Sequence, residues 1–258
     1  MTGLRPLSAL SAEERIWIAR FLGSDGVLPL YFDTAVEDLA RGIDNRLMLI
    51  GRAGEGLILG IAFAGLEAFT IVGNLDDTEL RLVYTRPMPG ELHVSAALAA
   101  YLQPLLGDRL VAALAMRTET CAIGTRASDP QCQMMTHDDA ARVTAFYDAY
   151  NPRHVFSPWM LEHPFVAVLE KGEILAGAGV LALSRRLGWA LIGNFLTRPD
   201  RRGLGLARKV GETLLAALGR NGINHVALVT TDDNAAARSV YRNLGFALAE
   251  ARVELDLR

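Results

Sequence analysis

The sequence predicts an α/β or α+β protein, with helices flanking a central mixed sheet, in two units of ordinary size. Three observations predict it. At 51% hydrophobic and 21% charged residues the composition is globular. At 258 residues the chain exceeds a typical single domain. Strand-type and helix-type periodicities also follow one another in an order that fits one sheet per unit.

The order is clearest after a seam at "TRASDPQC", Thr125 to Cys132, where turn-forming and polar residues cluster. The seam divides the chain into 1–128 and 131–258. "QMM" reads as a short strand. Thr136 with Asp139 resembles a capping box and opens a helix to about Tyr150. "SPWMLE" offers a Ser cap and a Pro at N1, so a short helix begins at Ser157. Three strands follow: "PFVAVLEK", "EILAGAGVLALS" and "GWALIGNFLT". A helix from about Gly203 carries Leu206, Val210, Leu214 and Leu218 on one face and stops before Gly222. "HVALVTT" is a short buried strand. Ala237, Val240, Tyr241 and Leu244 then keep helical spacing until Gly245. In "ARVELDL", Val253, Leu255 and Leu257 alternate as in a strand.

In the first unit Ser11 with Glu14 caps a helix, and "YFDTAVEDLARGI" is a second. "RLMLIGR", "LILGIAFAG", "AFTIVG" and "ELRLVYT" read as strands, followed by a helix from about Glu91 and the strand "RLVAALAM". "YTRPMPGELHVSAALAAYLQPLL" echoes "LTRPDRRGLGLARKVGETLLAAL" in its strand, its Thr-Arg-Pro and its helix. The first unit is thereby expected to be a decayed duplicate of the second.

Several function classes are excluded. A net charge of −3 argues against general nucleic-acid binding. Glu13 and Glu14 interrupt the place where a signal peptide needs an apolar core. "GLILGIAFAGLEAF" is broken by glycines and Glu67 and is too short to span a bilayer. Two cysteines, Cys121 and Cys132, are expected to be unpaired structural thiols of a cytoplasmic protein. Charge is uneven: residues 131–258 hold 15 Lys/Arg and 13 Asp/Glu, leaving 11 and 16 before them.

The mildly basic half contains "RPDRRGLGLARK", with five cations and two glycines in twelve residues. Glycines at a strand-to-helix turn let backbone approach a ligand closely. The first amides of a helix lack intrahelical partners, and the helix dipole favours an anion there. Arg201, Arg202, Arg208 and Lys209 can supplement that site. The stretch is therefore a candidate pyrophosphate cradle. It is no Walker A loop, because no Gly-Lys-Ser/Thr follows. It is a poor dinucleotide fingerprint, because Arg208 stands where a third Gly or Ala belongs. A solvated basic turn has the same pattern. A second motif lies after the next strand, in "DDNAAARSVYRNLGF". Asn234 and Tyr241 are seven residues apart, two turns of one helix face, roughly 10 Å along the axis. A helix-start asparagine and a core tyrosine would satisfy the same positions.

The two motifs at this spacing resemble the GNAT superfamily of acyl-CoA-dependent N-acyltransferases. The resemblance covers residues 131–258; residues 1–128 then look like a degenerate GNAT-like unit, having neither motif. It implies a strand that splays from its neighbour to admit the pantetheine arm of acetyl-CoA along Phe195, Leu196 and Thr197. It places the pyrophosphate on Arg202, Gly203, Leu204, Gly205, Leu206 and Ala207, and Asn234 near the pantetheine or acyl end. Tyr241 takes the position that often protonates the departing thiolate. No metal is implied.

The implied reaction is acetyl transfer from acetyl-CoA to a primary amine of a small molecule, without nucleic-acid or membrane partners. A non-catalytic CoA-binding module is the alternative, and an NAD-dependent oxidoreductase is a third. One departure stands out: "IGNFLT" carries Asn194 and no carboxylate where many relatives have a glutamate base. Tyr147, His154 and His163 lie in or near the acceptor side, and each is expected to be structural or superficial. The first unit is expected to bind no second CoA, because Met88-Pro89-Gly90-Glu91 lacks an amide at Pro89 and carries a repelling Glu91.

Overall fold

A computed structural model describes residues 4–42, 47–53, 56–63, 66–85, 90–152 and 154–258. In chain order these form β1 (Arg5–Pro6), α1 (Ala12–Leu22), α2 (Val27–Ala40), β2 (Leu47–Ala53), β3 (Gly56–Phe63), β4 (Leu66–Val72), α3 (Asp77–Tyr84), β5 (Gly90–Val94), α4 (Ala96–Leu106) and β6 (Leu110–Ala122). After the seam come β7 (Cys132–Met134), α5 (Ala140–Tyr150), β8 (Phe165–Glu170), β9 (Glu173–Ser184), β10 (Trp189–Thr197), α6 (Leu206–Arg220), β11 (His225–Thr231), α7 (Ala235–Asn243) and β12 (Ala247–Leu257). All twelve strands join one mixed sheet, ordered β1-β2-β3-β4-β5-β12-β6-β11-β10-β9-β8-β7.

The order contains an internal symmetry. β3 and β4 are antiparallel, β4 and β5 parallel across α3, and α4 leads to β6. In the second half β9 and β10 are antiparallel, β10 and β11 parallel across α6, and α7 leads to β12. The final strands cross over. β12 lies between β5 and β6, and β6 lies between β12 and β11. The sheet is therefore continuous across residues 123–131, where the sequence places its seam.

Helices α6 and α7 cover one face of the second half, with Val180, Ile192, Leu214, Val226 and Leu244 in the core beneath them. α5 covers the other face through Val143, Phe146 and Tyr147. α2 joins the two halves: its Phe32 and Ala35 pack on Leu57 and Leu59 of β3, and its Leu30 on Ala182, Trp189, Leu191 and Ala227. β3 and β9 are seven places apart in the sheet, about 34 Å if it were flat. One helix of about 21 Å touches both, so the sheet bends around it.

Most elements of residues 131–258 stand where periodicity puts them, with three adjustments. Thr136 and Asp139 form the expected capping box, although its first turn is a 3-10 turn. "SPWMLE" is a 3-10 turn at Pro158–Glu162 and not an α-helix, and the Ser157 side chain makes no capping bond. The helix expected from Gly203 begins at Leu206, because Gly203 and Gly205 both have positive φ.

The first half requires larger corrections. "ELRLVYT" is no strand: it is α3, nucleated by a capping box between Asp76 and Glu79 and burying Leu80, Val83 and Tyr84. Glu91 does not open a helix. It lies in β5, where Leu92 and Val94 alternate inward, and the helix starts at Ala96 behind the Ser95 cap. The echo was thus aligned to the wrong elements. Topologically α3 corresponds to α6 and α4 to α7, so the Thr-Arg-Pro match pairs unrelated positions. Arg86, Pro87, Met88 and Pro89 of the echo, and the ends Ile43, Arg46, Ala64 and Gly65 of neighbouring expected elements, lie outside the described residues.

Candidate active site

The site begins as a gap in the sheet. β10 pairs with β11 only from Trp189 to Leu191, and the rest of its β11-facing edge has no strand partner among the described residues. Two register irregularities accompany the divergence: one between Leu191 and Ile192, where pairing with β11 stops, and a β-bulge beyond it, where Gly193 opposes Gly179 but Leu196 opposes Gly177, so β10 carries one extra residue. Asn194 sits in that bulge at φ +55, a conformation that few residues other than glycine and asparagine adopt readily. Its carbonyl accepts the Tyr147 hydroxyl, and its Nδ2 lies 3.4 Å from Met160 Sδ. A Gly-Asn pair inside a strand pattern signals such a bulge, and the sequence reading missed it.

Beyond the bulge, Phe195, Leu196 and Thr197 line a cleft of about 570 Å³. The opposite wall comes from the α6 entrance, with Arg202, Gly203, Gly205, Leu206 and Ala207, and from α7, with Asn234 and Tyr241. The expected site residues therefore meet in one place, with one exception. Leu204 is 59% exposed and points to a neighbouring hollow beside Gln131 and Leu175.

The α6 entrance suits an anion. Gly205 caps the helix in the left-handed conformation and contributes no side-chain capping bond, so the first amides remain open. A Cβ at Gly203 or Gly205 would meet nothing within 4 Å. Glycine there serves backbone conformation and close approach rather than packing.

The cationic stretch is less free than its sequence implies. Arg198 forks onto Asp200 and reaches Glu173 at 2.7 Å, which holds its guanidinium firmly charged and engaged. Arg201 bonds Glu170 at 2.7 Å, Lys209 bonds Gln131 Oε1 at 2.6 Å, and Arg208 lies 3.9 Å from Glu212. Arg202 has no carboxylate within 4.0 Å among the described residues, and it lines the cleft.

On α7, Asn234 is the N-cap, its Oδ1 accepting the Ala237 amide at 3.2 Å. Tyr241 packs edge-on against Phe195, with ring centroids 5.3 Å apart, and beside Phe246. Its hydroxyl has no hydrogen-bond partner among the described residues. Burial, and secondarily the Glu119 carboxylate, push the phenol up to about 12. Tyr241 is consequently neutral at ordinary pH, and a weaker acid than a free phenol.

The remaining candidates do not line this cleft. Tyr147 is buried among Phe146, Phe156 and Phe165, and burial raises its phenol well above the usual range. His154 faces Asp148 at 2.9 Å, and its Nδ1 accepts the Phe156 amide. His163 terminates the short turn after Glu162. Cys121 is buried and raised to about 11; Cys132 is half-buried and also raised by burial, and both are unpaired. Away from the cleft, Glu91, His93 and Glu254 place their ligating atoms within 4.8 Å of one another on β5 and β12.

The first half has a counterpart of the cleft, about 420 Å³, lined by Ile71, Val72, Leu75, Ser95, Leu98 and Tyr101. Its helix entrance is closed. The Asp76 carboxylate accepts the Glu79 amide at 2.8 Å, and Glu79 accepts the Asp76 amide at 2.9 Å. Arg252 of β12 donates to the Ile71 carbonyl at 3.3 Å, within the gap itself. Glu91 stands in β5 and not at a helix entrance, and Pro89 lies outside the described residues; the carboxylate at the entrance of α3 is Asp76.

The fold and cleft define a two-part α/β protein with an uncapped, anion-ready helix beside a split sheet. Residues 133–246 match the model of the acetyltransferase (GNAT) family, and the chain carries a GNAT acetyltransferase domain there. No curated protein matches the chain. Three solved structures share the fold along nearly its whole length. A Drosophila protein is 12% identical, with TM-score 0.73, over 99% of this chain and 98% of that one. A GCN5-related N-acetyltransferase-like protein from Streptococcus suis is 16% identical, with TM-score 0.64, over 96% and 99%. A tandem GNAT protein of the clavulanic acid biosynthesis pathway is 12% identical, with TM-score 0.63, over 97% and 96%. No helix among the described residues is long and apolar enough to cross a membrane.

Proposed function

We propose that this protein transfers an acetyl group from acetyl-CoA to a primary amine of a small molecule by direct attack, with residues 131–258 as the catalytic unit and 1–128 as a degenerate one. The observation that carries the proposal is the convergence in one cleft of the uncapped α6 entrance, the split between β10 and β11, and the neutral Tyr241 hydroxyl. The pyrophosphate would rest on amides from Arg202 to Ala207, with the Arg202 guanidinium beside it. The pantetheine would lie along Phe195 to Thr197 and use the unpaired strand edge.

A neutral amine attacks the thioester carbonyl, and the new C–N bond forms as the carbonyl oxygen gains charge. Backbone N–H groups on the free edge of β10 can stabilise that charge. The C–S bond then breaks, the Tyr241 phenol protonates the leaving thiolate, and the proton shed by the new amide nitrogen returns through water to the phenolate. Positioning supplies much of the acceleration. The Asn194 position offers no carboxylate, and Tyr147 is committed to the bulge, so the amine enters neutral or loses its proton to water.

The test is free-thiol release from acetyl-CoA over a panel of amines, amino acids and aminoglycosides, beside calorimetry with CoA. Amine-dependent thiol release supports the proposal. CoA binding without turnover on any amine would leave a CoA-binding module, and absence of binding would remove both readings.

A further inference from the structure

β6 is the strand through which the first half reaches the α7 side of the cleft. It lies beside β11, and it carries Arg117 and Glu119. Glu119 is 5% exposed, on the face of the sheet that also presents Cys121 to the core under α6 and α7. A carboxylate at such a site needs a partner, and Arg117 Nε supplies it at 3.1 Å. The other arm of the same guanidinium, Nη1, reaches Asp232 Oδ1 at 2.7 Å.

Asp232 is the first residue after β11, in the turn that leads to α7. It is held at three atoms. Its amide donates to the Ala115 carbonyl of β6 at 2.7 Å, its carboxylate takes Arg117 at 2.7 Å and lies 3.5 Å from Arg238 Nη1, and its carbonyl accepts Arg238 Nη1 at 2.6 Å. Two of these four contacts come from β6. Asn234 follows two residues later as the α7 cap, and Tyr241 lies two turns further along the same helix. Arg117 is 19% exposed and Asp232 50%, so the pair at the turn is open to solvent on its Asp232 side. The direction comes from the other arm, which the buried Glu119 carboxylate holds in place while Nη1 reaches the turn.

We infer that Arg117, supplied by the first half, is the positioning residue that fixes how α7 presents Asn234 and Tyr241 to the split between β10 and β11. The first half is then a working part of the cleft. The inference rests on the reading of Tyr241 as proton donor for its kinetic consequence, and on geometry alone for its structural one.

The test uses the full chain with Arg117→Gln, Arg117→Lys and Asp232→Ala. Amide hydrogen exchange is followed in α7 and α6, CoA affinity by calorimetry, and turnover by thiol release. Arg117→Gln and Asp232→Ala should each speed exchange across Ala235–Asn243 by about tenfold and leave Leu206–Arg220 unchanged. Turnover should fall about tenfold or more, with KM for acetyl-CoA and the CoA dissociation constant within about twofold. Arg117→Lys, which keeps the charge, should recover part of the loss. Should Arg117→Gln fail to fold, Asp232→Ala decides beside Arg238→Ala: it leaves the Arg117–Glu119 pair intact, and it should loosen α7 by more than the loss of Arg238 alone. Unchanged α7 exchange in Asp232→Ala would overturn the inference, as would equal loosening of α6 or a parallel loss of CoA affinity. A wild-type protein without turnover on any amine would overturn the transferase reading and not this one, which α7 exchange then decides.

Discussion

Replacing Gly205 by Asp would put a carboxylate at the entrance of α6, where α3 already has Asp76. Gly205 has φ +73, so an L-residue there costs about 1 kcal/mol, and asparagine and aspartate bear that conformation best. No atom lies within 4 Å of the added Cβ. A negative charge beside a helix N-terminus returns about 0.3–1 kcal/mol. The net change in stability is then within about 1 kcal/mol, a shift of roughly 2–4 °C in thermal midpoint for a chain of this size. The effect on a bound pyrophosphate is larger. One charge about 5 Å from another contributes about 0.8 kcal/mol at the dielectric of water and about 1.7 kcal/mol at half that value. Two phosphate charges make this about 1.7–3.3 kcal/mol, a loss of affinity between roughly 20-fold and 200-fold. Calorimetric titration with CoA measures it, and a thermal melt on the same sample shows that the fold survives. A CoA affinity within about threefold of wild type, in a folded variant, would refute the cradle.

Tyr241→Phe keeps the ring against Phe195 and should lower kcat by roughly 10²-fold or more with little change in KM for acetyl-CoA; kcat within about twofold would end the proton-donor role. The same phenol rises from 10.0 unfolded to about 12 folded, so its contribution to stability is complete below pH 10 and lost as pH climbs toward 12. That loss is about 2–3 kcal/mol, and denaturant melts of Tyr241→Phe should lack it. Titration with CoA should find one site per chain, because the Asp76 carboxylate takes the Glu79 amide and puts a negative charge at the entrance of α3; two equivalent sites would contradict this. Gly211→Ala would drive a Cβ into Leu244 Cδ1 between α6 and α7, and should cost about 1–3 kcal/mol, read as a lower thermal midpoint. An aromatic disulfide reagent at pH 8 should modify Cys132 first and reach Cys121, raised to about 11, only in denaturant.

The sequence by itself determined what depends on near neighbours in the chain. Leu206, Val210, Leu214 and Leu218 specify a helix face because each contact is one turn away, and all four are buried. The glycines at 203 and 205, the Asn234 cap and the position of Tyr241 are local for the same reason. "ELRLVYT" shows where such reading gives two answers. Leu80, Leu82 and Tyr84 alternate as in a strand, while Leu80, Val83 and Tyr84 keep helical spacing. The capping box at Asp76 and Glu79, three residues apart and upstream of most of the apolar run, decides for the helix. Only the tertiary structure decided which charges in "RPDRRGLGLARK" are free, because their partners Glu170, Glu173 and Asp129 lie on other elements. Only it exchanged β6 and β12 between the halves and brought Arg117 to Asp232, 115 residues away. A strand's pattern records which of its faces is buried. It does not record which neighbour pairs with its edge, because backbone hydrogen bonds are the same for every residue.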